Sequence, residues 1–113
     1  MNVAEVIVYD ANGVNVSKGR PVTKSSGYNG DMFPGANLVD GNIGNFAHTG
    51  CNDVPWMQID LGQQTNISKV VIYNRTDCCQ IRLSGTVVMI IDQNGNTVNH
   101  ASNPLTNELV QTV

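Results

Sequence analysis

The chain has 113 residues, with six basic and nine acidic side chains and a net charge of −3 at pH 7. This balance supplies no basic face for nucleic acid, and the longest apolar runs fall far short of the ~20 residues that a membrane-spanning helix needs. A chain of this length is expected to form one domain, which buries roughly two thirds of the surface exposed on unfolding.

Short runs rich in Val and Ile, bounded by Asn, Asp and Gly, recur along the chain and predict an all-β protein. In chain order, strands are predicted at residues 6–9, 21–26, 56–61 and 69–74, followed by a hairpin of residues 86–92 and 96–99. Residues 27–55 contain many Gly and Pro residues and are predicted to form a long loop, which is usually functional or ordered by an ion. The pattern favours two antiparallel sheets packed as a β-sandwich.

Scarce polar and thiol side chains are concentrated in one part of the sequence. Twenty-six residues separate His48 from the run Arg75-Thr76-Asp77-Cys78-Cys79-Gln80-Ile81-Arg82 in a chain with only two histidines and three cysteines. These side chains suit metal, redox or sugar chemistry. A sugar pocket would use the guanidinium and imidazole groups as converging hydrogen-bonding partners for fixed hydroxyls. No nucleophile elbow, Ser-His-Asp order or separated carboxylate pair indicates an enzyme.

The order and spacing of these residues resemble the F-type lectins, which are fucose-binding members of the discoidin-like β-sandwich group. The motif of that family is His, twenty-six residues, Arg, any residue, Asp, four residues, and Arg or Lys. It is matched in full by His48, Arg75, Asp77 and Arg82. The blocks at residues 19–26, 37–42 and 55–62 and the paired cysteines also match, so the resemblance covers about residues 3 to 100. It implies one jelly-roll, discoidin-like domain over residues 1–113.

The resemblance also implies a non-catalytic lectin that binds L-fucose or fucosylated glycans. Arg75 and Arg82 would donate to hydroxyl and ring oxygens, and His48 would bond an axial hydroxyl as donor or acceptor. Asp77 would either accept a sugar hydroxyl or orient an arginine.

Cys78 and Cys79 resemble the vicinal disulfide that packs against the sugar ring in the family. The residues alone leave two other interpretations, a pair of reduced core cysteines and a redox or soft-metal pair. Cys51 remains as a free thiol or an intermolecular link. Zinc bound by His48, Cys51 and Asp53 is disfavoured, because no second cluster with structural-zinc spacing follows.

Fucose carries a methyl group that needs an apolar slot. The long loop offers four candidates, which either line that slot or pin the loop to the sandwich: Tyr28, Met32, Phe33 and Phe46. Trp56 begins the predicted strand 56–61 and is expected to pack in the core or between the sheets rather than to form a platform for the sugar.

The stretch Asn37-Leu38-Val39-Asp40-Gly41-Asn42 matches the segment that binds a structural calcium ion in the family. Asp40 would supply a carboxylate, and Asn37 and Asn42 would supply backbone oxygens. Ca²⁺ takes about six to eight oxygen ligands at flexible angles, so such a loop suits it. The expected role of the ion is to order the loop that carries His48.

The last strand of family members carries a calcium-binding glutamate and resembles residues 4–9 of this chain, where Glu5 lies near the N-terminus. Residues 1–10 therefore either fold back as a permuted strand, with Glu5 reaching the calcium, or are donated to a neighbour in a homo-oligomer. The alternative function is a structural fibre or coat subunit that polymerises through this strand. A discoidin-like module for protein or lipid would have no reason to keep the basic residues.

An extracellular or surface-exposed location is expected from the resemblance. Residues 1–5 carry neither the basic nor the apolar region of a signal peptide.

Overall fold

The computed structural model describes residues 1–27, 30, 32–50, 55–63, 65–76, 80–92, 94–97, 102 and 104–113. Its regular elements in these ranges are short β-strands and two 3-10 helices. The strands are β1 (Asn2–Val3), β2 (Glu5–Asp10), β3 (Val22–Lys24), β4 (Ala47–His48), β5 (Met57–Ile59), β6 (Ile67–Tyr73) and β7 (Val110–Thr112). The 3-10 helices are Gly35–Val39 and Gln80–Leu83. Among the described residues, no helix has the length and apolar character to span a bilayer.

The strands form three antiparallel sheets. In the largest, β6 lies between β2 and β7, and the two smaller sheets pair β1 with β4 and β3 with β5. Val6 lies opposite Ile72 and Val8 opposite Val70, so β-branched side chains from two strands meet across the ladder. Residues 5–10 thus pair within their own chain, and exchange of this strand between chains stays a prediction.

The core joins the main sheet to the segment that the sequence predicts to be a loop. Nine buried apolar side chains form it: Val3, Val8, Leu38, Val39, Ala47, Val70, Ile72, Leu83 and Leu105. Three of these lie in residues 35–48, which include a 3-10 helix and β4. Burial of this segment against the sheet is what places His48.

Several local features differ from the sequence predictions. Residues 86–92 form no regular strand, and in the described part of the predicted hairpin a single bridge joins Ile91 to Thr97. The turn itself is present, because the Asp92 carboxylate accepts hydrogen bonds from the backbone of Asn94 and Asn96. Strand β7 was not predicted. Trp56 is 48% exposed, so its predicted place in the core or between the sheets is wrong.

Candidate functional site

His48 is held by its backbone on two sides. On one side, β4 pairs with β1, with His48 opposite Asn2, and Thr49 N–H donates to the Met1 carbonyl at 2.9 Å. On the other side, the Lys24 ammonium donates to the His48 carbonyl at 3.1 Å. The side chain is only 2% exposed, so its ring has a restricted set of neighbours.

The hydrogen bonds of the imidazole define its tautomer. Nδ1 lies 2.5 Å from the Thr49 carbonyl oxygen, which can only accept, so Nδ1 carries the proton. Nε2 is then an acceptor in the neutral ring, and Arg82 Nη1 lies 3.3 Å from it. Burial lowers the pKa of His48 below 6.5 against the raising effect of the hydrogen bond to Thr49, and the positive charges of the N-terminus, Arg82 and Arg75 lower it further. The site therefore contains a neutral imidazole beside two guanidinium groups.

Arg82 owes its position to the residue that follows it. It lies in the second 3-10 helix, where Leu83 is buried in the core and Arg82 is exposed. Burial of Leu83 anchors this short helix, so the neighbouring guanidinium reaches His48 from a fixed base.

The backbone of Arg75 is positioned by the preceding residue, Asn74. Asn74 directly follows β6 and is 1% exposed, and its amide donates to the carbonyls of Asn107 and Glu108 at 3.4 and 3.3 Å. Its side-chain oxygen accepts the Arg75 N–H at 2.8 Å. Asn74 thus fixes the exit from β6, a role not predicted from the sequence, where Asn74 falls in the predicted strand 69–74, although a polar residue at the end of an apolar run is a recognisable signal.

An aromatic stack connects Arg75 to His48. The rings of Phe33 and Phe46 are stacked with centroids 4.4 Å apart, and the Arg75 guanidinium carbon lies 4.0 Å from the Phe46 centroid. Both rings have centroids 6.1 and 6.2 Å from the His48 ring. Stacking and cation–π attraction favour this layered arrangement. The structure therefore brings His48, Arg75 and Arg82 together.

Asp77, Cys78, Cys79 and Cys51 lie outside the described residues, as does Tyr28, and their roles stay predictions. Met32 is 63% exposed, whereas Phe33 and Phe46 are half-buried beside His48.

The predicted calcium segment lies next to Glu5. The Glu5 side chain is 1% exposed, its Oε2 accepts the Gly41 N–H at 3.0 Å, and its buried Oε1 has no hydrogen-bond partner among the described residues. Burial raises the pKa of Glu5 to about 7; the charge of Asp40 also raises it, against the lowering effect of the Gly41 hydrogen bond. A buried carboxylate with a free oxygen, beside a second carboxylate, fits a hard cation.

The other predicted calcium ligands also make hydrogen bonds. Asp40 accepts hydrogen bonds from Asn42 N–H at 2.9 Å and from the Asn45 amide at 3.1 Å. The Asn37 amide donates to the Phe46 carbonyl at 3.0 Å, which ties the segment to the aromatic stack. In the described ranges, no group of three or more His, Cys, Asp or Glu side chains is suited to a metal. A cation here would rely on two carboxylates and backbone oxygens, a donor set that suits Ca²⁺.

Comparison with known proteins identifies the family of this chain. The model of the family described as a NedA-like, galactose-binding domain matches residues 37–112. The chain belongs to this galactose-binding domain family. The matched range contains His48, Arg75 and Arg82, and the antiparallel all-β architecture expected from the sequence is confirmed.

Individual relatives of this galactose-binding domain are fucolectins. Fucolectin-6 of Anguilla japonica is 39% identical over 72 residues, which cover 58% of this chain and 39% of the relative. Fucolectin of Anguilla anguilla is 41% identical over 61 residues, or 49% of this chain and 39% of the relative. A pentraxin fusion protein of Xenopus laevis is 31% identical over 71 residues, or 58% of this chain and 17% of the relative.

These matches confirm the resemblance to the F-type lectins and discoidin-like domains. The chain spans about two fifths of the length of the fucolectins that it matches. No solved structure matches the chain significantly.

Proposed function

We propose that this domain is a lectin that binds L-fucose or fucosylated glycans without catalysis, outside the cell or at its surface. The observation that carries the proposal is the grouping of a neutral imidazole, two guanidinium groups and two stacked aromatic rings. Relatives named fucolectins support the same assignment.

The described side chains offer a sugar both kinds of hydrogen-bonding partner. His48 Nε2 is an acceptor, so a sugar hydroxyl donates to it. The hydroxyl either binds beside Arg82 Nη1 or replaces it as the partner of Nε2. Arg82 and Arg75 then donate to neighbouring sugar oxygens. The edges of Phe33 and Phe46 beside His48 are apolar and suit the methyl group of fucose.

Calcium has a structural role in this proposal. The ion would supply positive charge to the buried Glu5 carboxylate and to the exposed Asp40 carboxylate next to it. Ordering of this segment would be transmitted to Phe46 through its hydrogen bond with Asn37. The alternative function, a fibre subunit, would require β2 to leave its pairing with β6 of the same chain.

A glycan array probed with calcium-loaded protein tests the proposed function. Signals are expected on glycans that end in fucose and not on matched glycans that lack only the fucose. An isothermal titration with free L-fucose, with D-galactose as the control, then measures the affinity. An array without signal on any fucosylated glycan would contradict the proposal.

Fucose is expected to lower the pKa of His48. A hydroxyl that donates to Nε2 stabilises the neutral ring, so by linkage the affinity falls as the pH drops below 6.5 through the already lowered pKa of His48. The contribution of this ring to folding stability has the same sign: it is complete above pH 6.5 and declines below it. NMR of the imidazole with and without fucose measures the shift, and a pKa raised by fucose would show that His48 donates instead.

A further inference from the structure

Lys24 joins two segments of the candidate site without lying in it. The residue ends β3, and its half-buried side chain donates to the carbonyls of Phe33 and His48, each at 3.1 Å. The Phe33 carbonyl also accepts the His48 N–H at 3.2 Å. One ammonium group therefore fixes the backbone of an aromatic residue in the stack relative to that of the histidine.

The strand that carries His48 depends on such contacts. β4 has two residues and pairs only with the two residues of β1 in the described ladder, which gives it few backbone hydrogen bonds. Its opposite edge has one backbone hydrogen bond, from the His48 N–H to the Phe33 carbonyl, and is otherwise held by side chains, because Lys24 bonds the His48 carbonyl and Ser26 Oγ accepts the Gly50 N–H at 2.7 Å. A strand this short is not stable alone, so side-chain donors and acceptors complete its edge.

The chemistry of lysine suits this role. Its ammonium group has three donors and no acceptor, so it can bond both carbonyls at once. Hydrogen bonds from a charged donor are roughly twice as strong as neutral ones. A shift in either carbonyl would move the imidazole relative to Thr49 O and Arg82, or move Phe33 relative to Phe46 and its bound Arg75.

We propose that Lys24 is a positioning residue of the sugar site. By clamping the Phe33 and His48 carbonyls it holds the imidazole with Nδ1–H on Thr49 and Nε2 toward Arg82, and it keeps the aromatic stack aligned. The effect on sugar affinity rests on the proposed function, whereas the effect on the imidazole does not.

The test compares substitutions at Lys24 with a lysine elsewhere. Lys24→Met keeps the length of the side chain and removes its donors, and Lys24→Arg keeps charge and donors. Lys69→Met is the matched control, since Lys69 is exposed on β6 with its ammonium 4.9 Å from the Tyr9 ring centroid. We expect Lys24→Met to weaken fucose binding about tenfold or more, Lys24→Arg to restore part of the affinity, and Lys69→Met to leave it unchanged.

A second readout separates positioning from a general loss of stability. The chain has two histidines, so a His100→Gln background leaves one imidazole for ¹⁵N NMR. Wild-type His48 is expected as the Nδ1–H tautomer, and Lys24→Met is expected to give a mixture of tautomers with a His48 pKa closer to 6.5 while the protein remains folded.

Each outcome decides the proposal. A Lys24→Met variant with wild-type affinity and wild-type tautomer would overturn it, as would a Lys24→Arg variant that is no better than Lys24→Met. Should Lys24→Met fail to fold, Lys24→Gln, a shorter uncharged donor, is judged by the same two measurements. If the wild type bound no fucosylated glycan, the proposed function would fail, and the tautomer would still report whether Lys24 positions His48.

Discussion

Glu5→Gln is expected to raise the melting temperature of the calcium-free protein and to abolish the stabilisation that calcium gives the wild type. At pH 8, above the pKa of about 7, the wild-type carboxylate is ionised, buried and next to Asp40. Glutamine removes the charge, keeps an acceptor for the Gly41 N–H and adds a donor for Asp40. A gain of about 1 kcal/mol from relieving such a buried group corresponds to about 4–8 °C for a small domain.

With calcium, the wild type is expected to have a higher melting temperature than Glu5→Gln. A ligand present at a hundred times its dissociation constant stabilises the native state by about 2.7 kcal/mol, and glutamine cannot provide the anionic oxygen. Scanning calorimetry in chelator and in calcium at pH 8 measures both effects. Glu108→Gln is the control, because Glu108 is the only other glutamate of the chain and is exposed. An equal calcium shift in Glu5→Gln and wild type would show that Glu5 is not a ligand.

The strands that could be predicted from the sequence are those buried in the main sheet. The apolar run at residues 6–9 predicts β2, and the run at 69–74 predicts most of β6. These two strands pair with each other over six positions, so their own apolar patterns are enough to predict them. The edge strand β7 has only three residues, with exposed side chains on both ends, and forms because β6 offers it a backbone edge. The turn at Asp92 was predictable from local chemistry, whereas the pairing on either side of it depends on distant contacts.

The part of the site that the motif spacing defines was predictable from the sequence. The motif spacing grouped His48, Arg75 and Arg82, and the structure places Arg82 within 3.3 Å of the imidazole and Arg75 over Phe46, whose ring adjoins His48. Lys24 could not be recognised as a clamp, because the two carbonyls that it bonds come from residues 9 and 24 positions away and carry no signature in their side chains. The exposure of Trp56 could not be predicted, because an aromatic residue just before a strand carries no signal of the face on which it lies.

Arg75→Ala is expected to reduce the affinity for fucosylated glycans about a hundredfold or more. The guanidinium would donate to sugar oxygens through a planar fork, and hydrogen bonds from a charged group contribute about 1.5–3 kcal/mol each. The same change removes the cation that covers one face of Phe46 at 4.0 Å, which leaves that ring free to turn. The loss of stability should be smaller, about 0.5–1 kcal/mol, because Arg75 is half-exposed and its stacking is a surface cation–π contact.

Two substitutions make this result specific. Arg20→Ala removes the same charge, but Arg20 bonds the Asp60 carbonyl at 3.1 Å near the turn that follows β5, so wild-type affinity is expected. Arg75→Lys keeps the charge without the planar fork, so it should bind more weakly than wild type and more tightly than Arg75→Ala. Titrations with L-fucose at fixed calcium and pH measure all three variants. Equal heats from wild type and Arg75→Ala would show that Arg75 does not bind the sugar. Equal losses of affinity in Arg75→Ala and Arg20→Ala would instead attribute binding to net charge, because a general positive field is weakened equally by both substitutions, whereas a positioned guanidinium is removed only by Arg75→Ala.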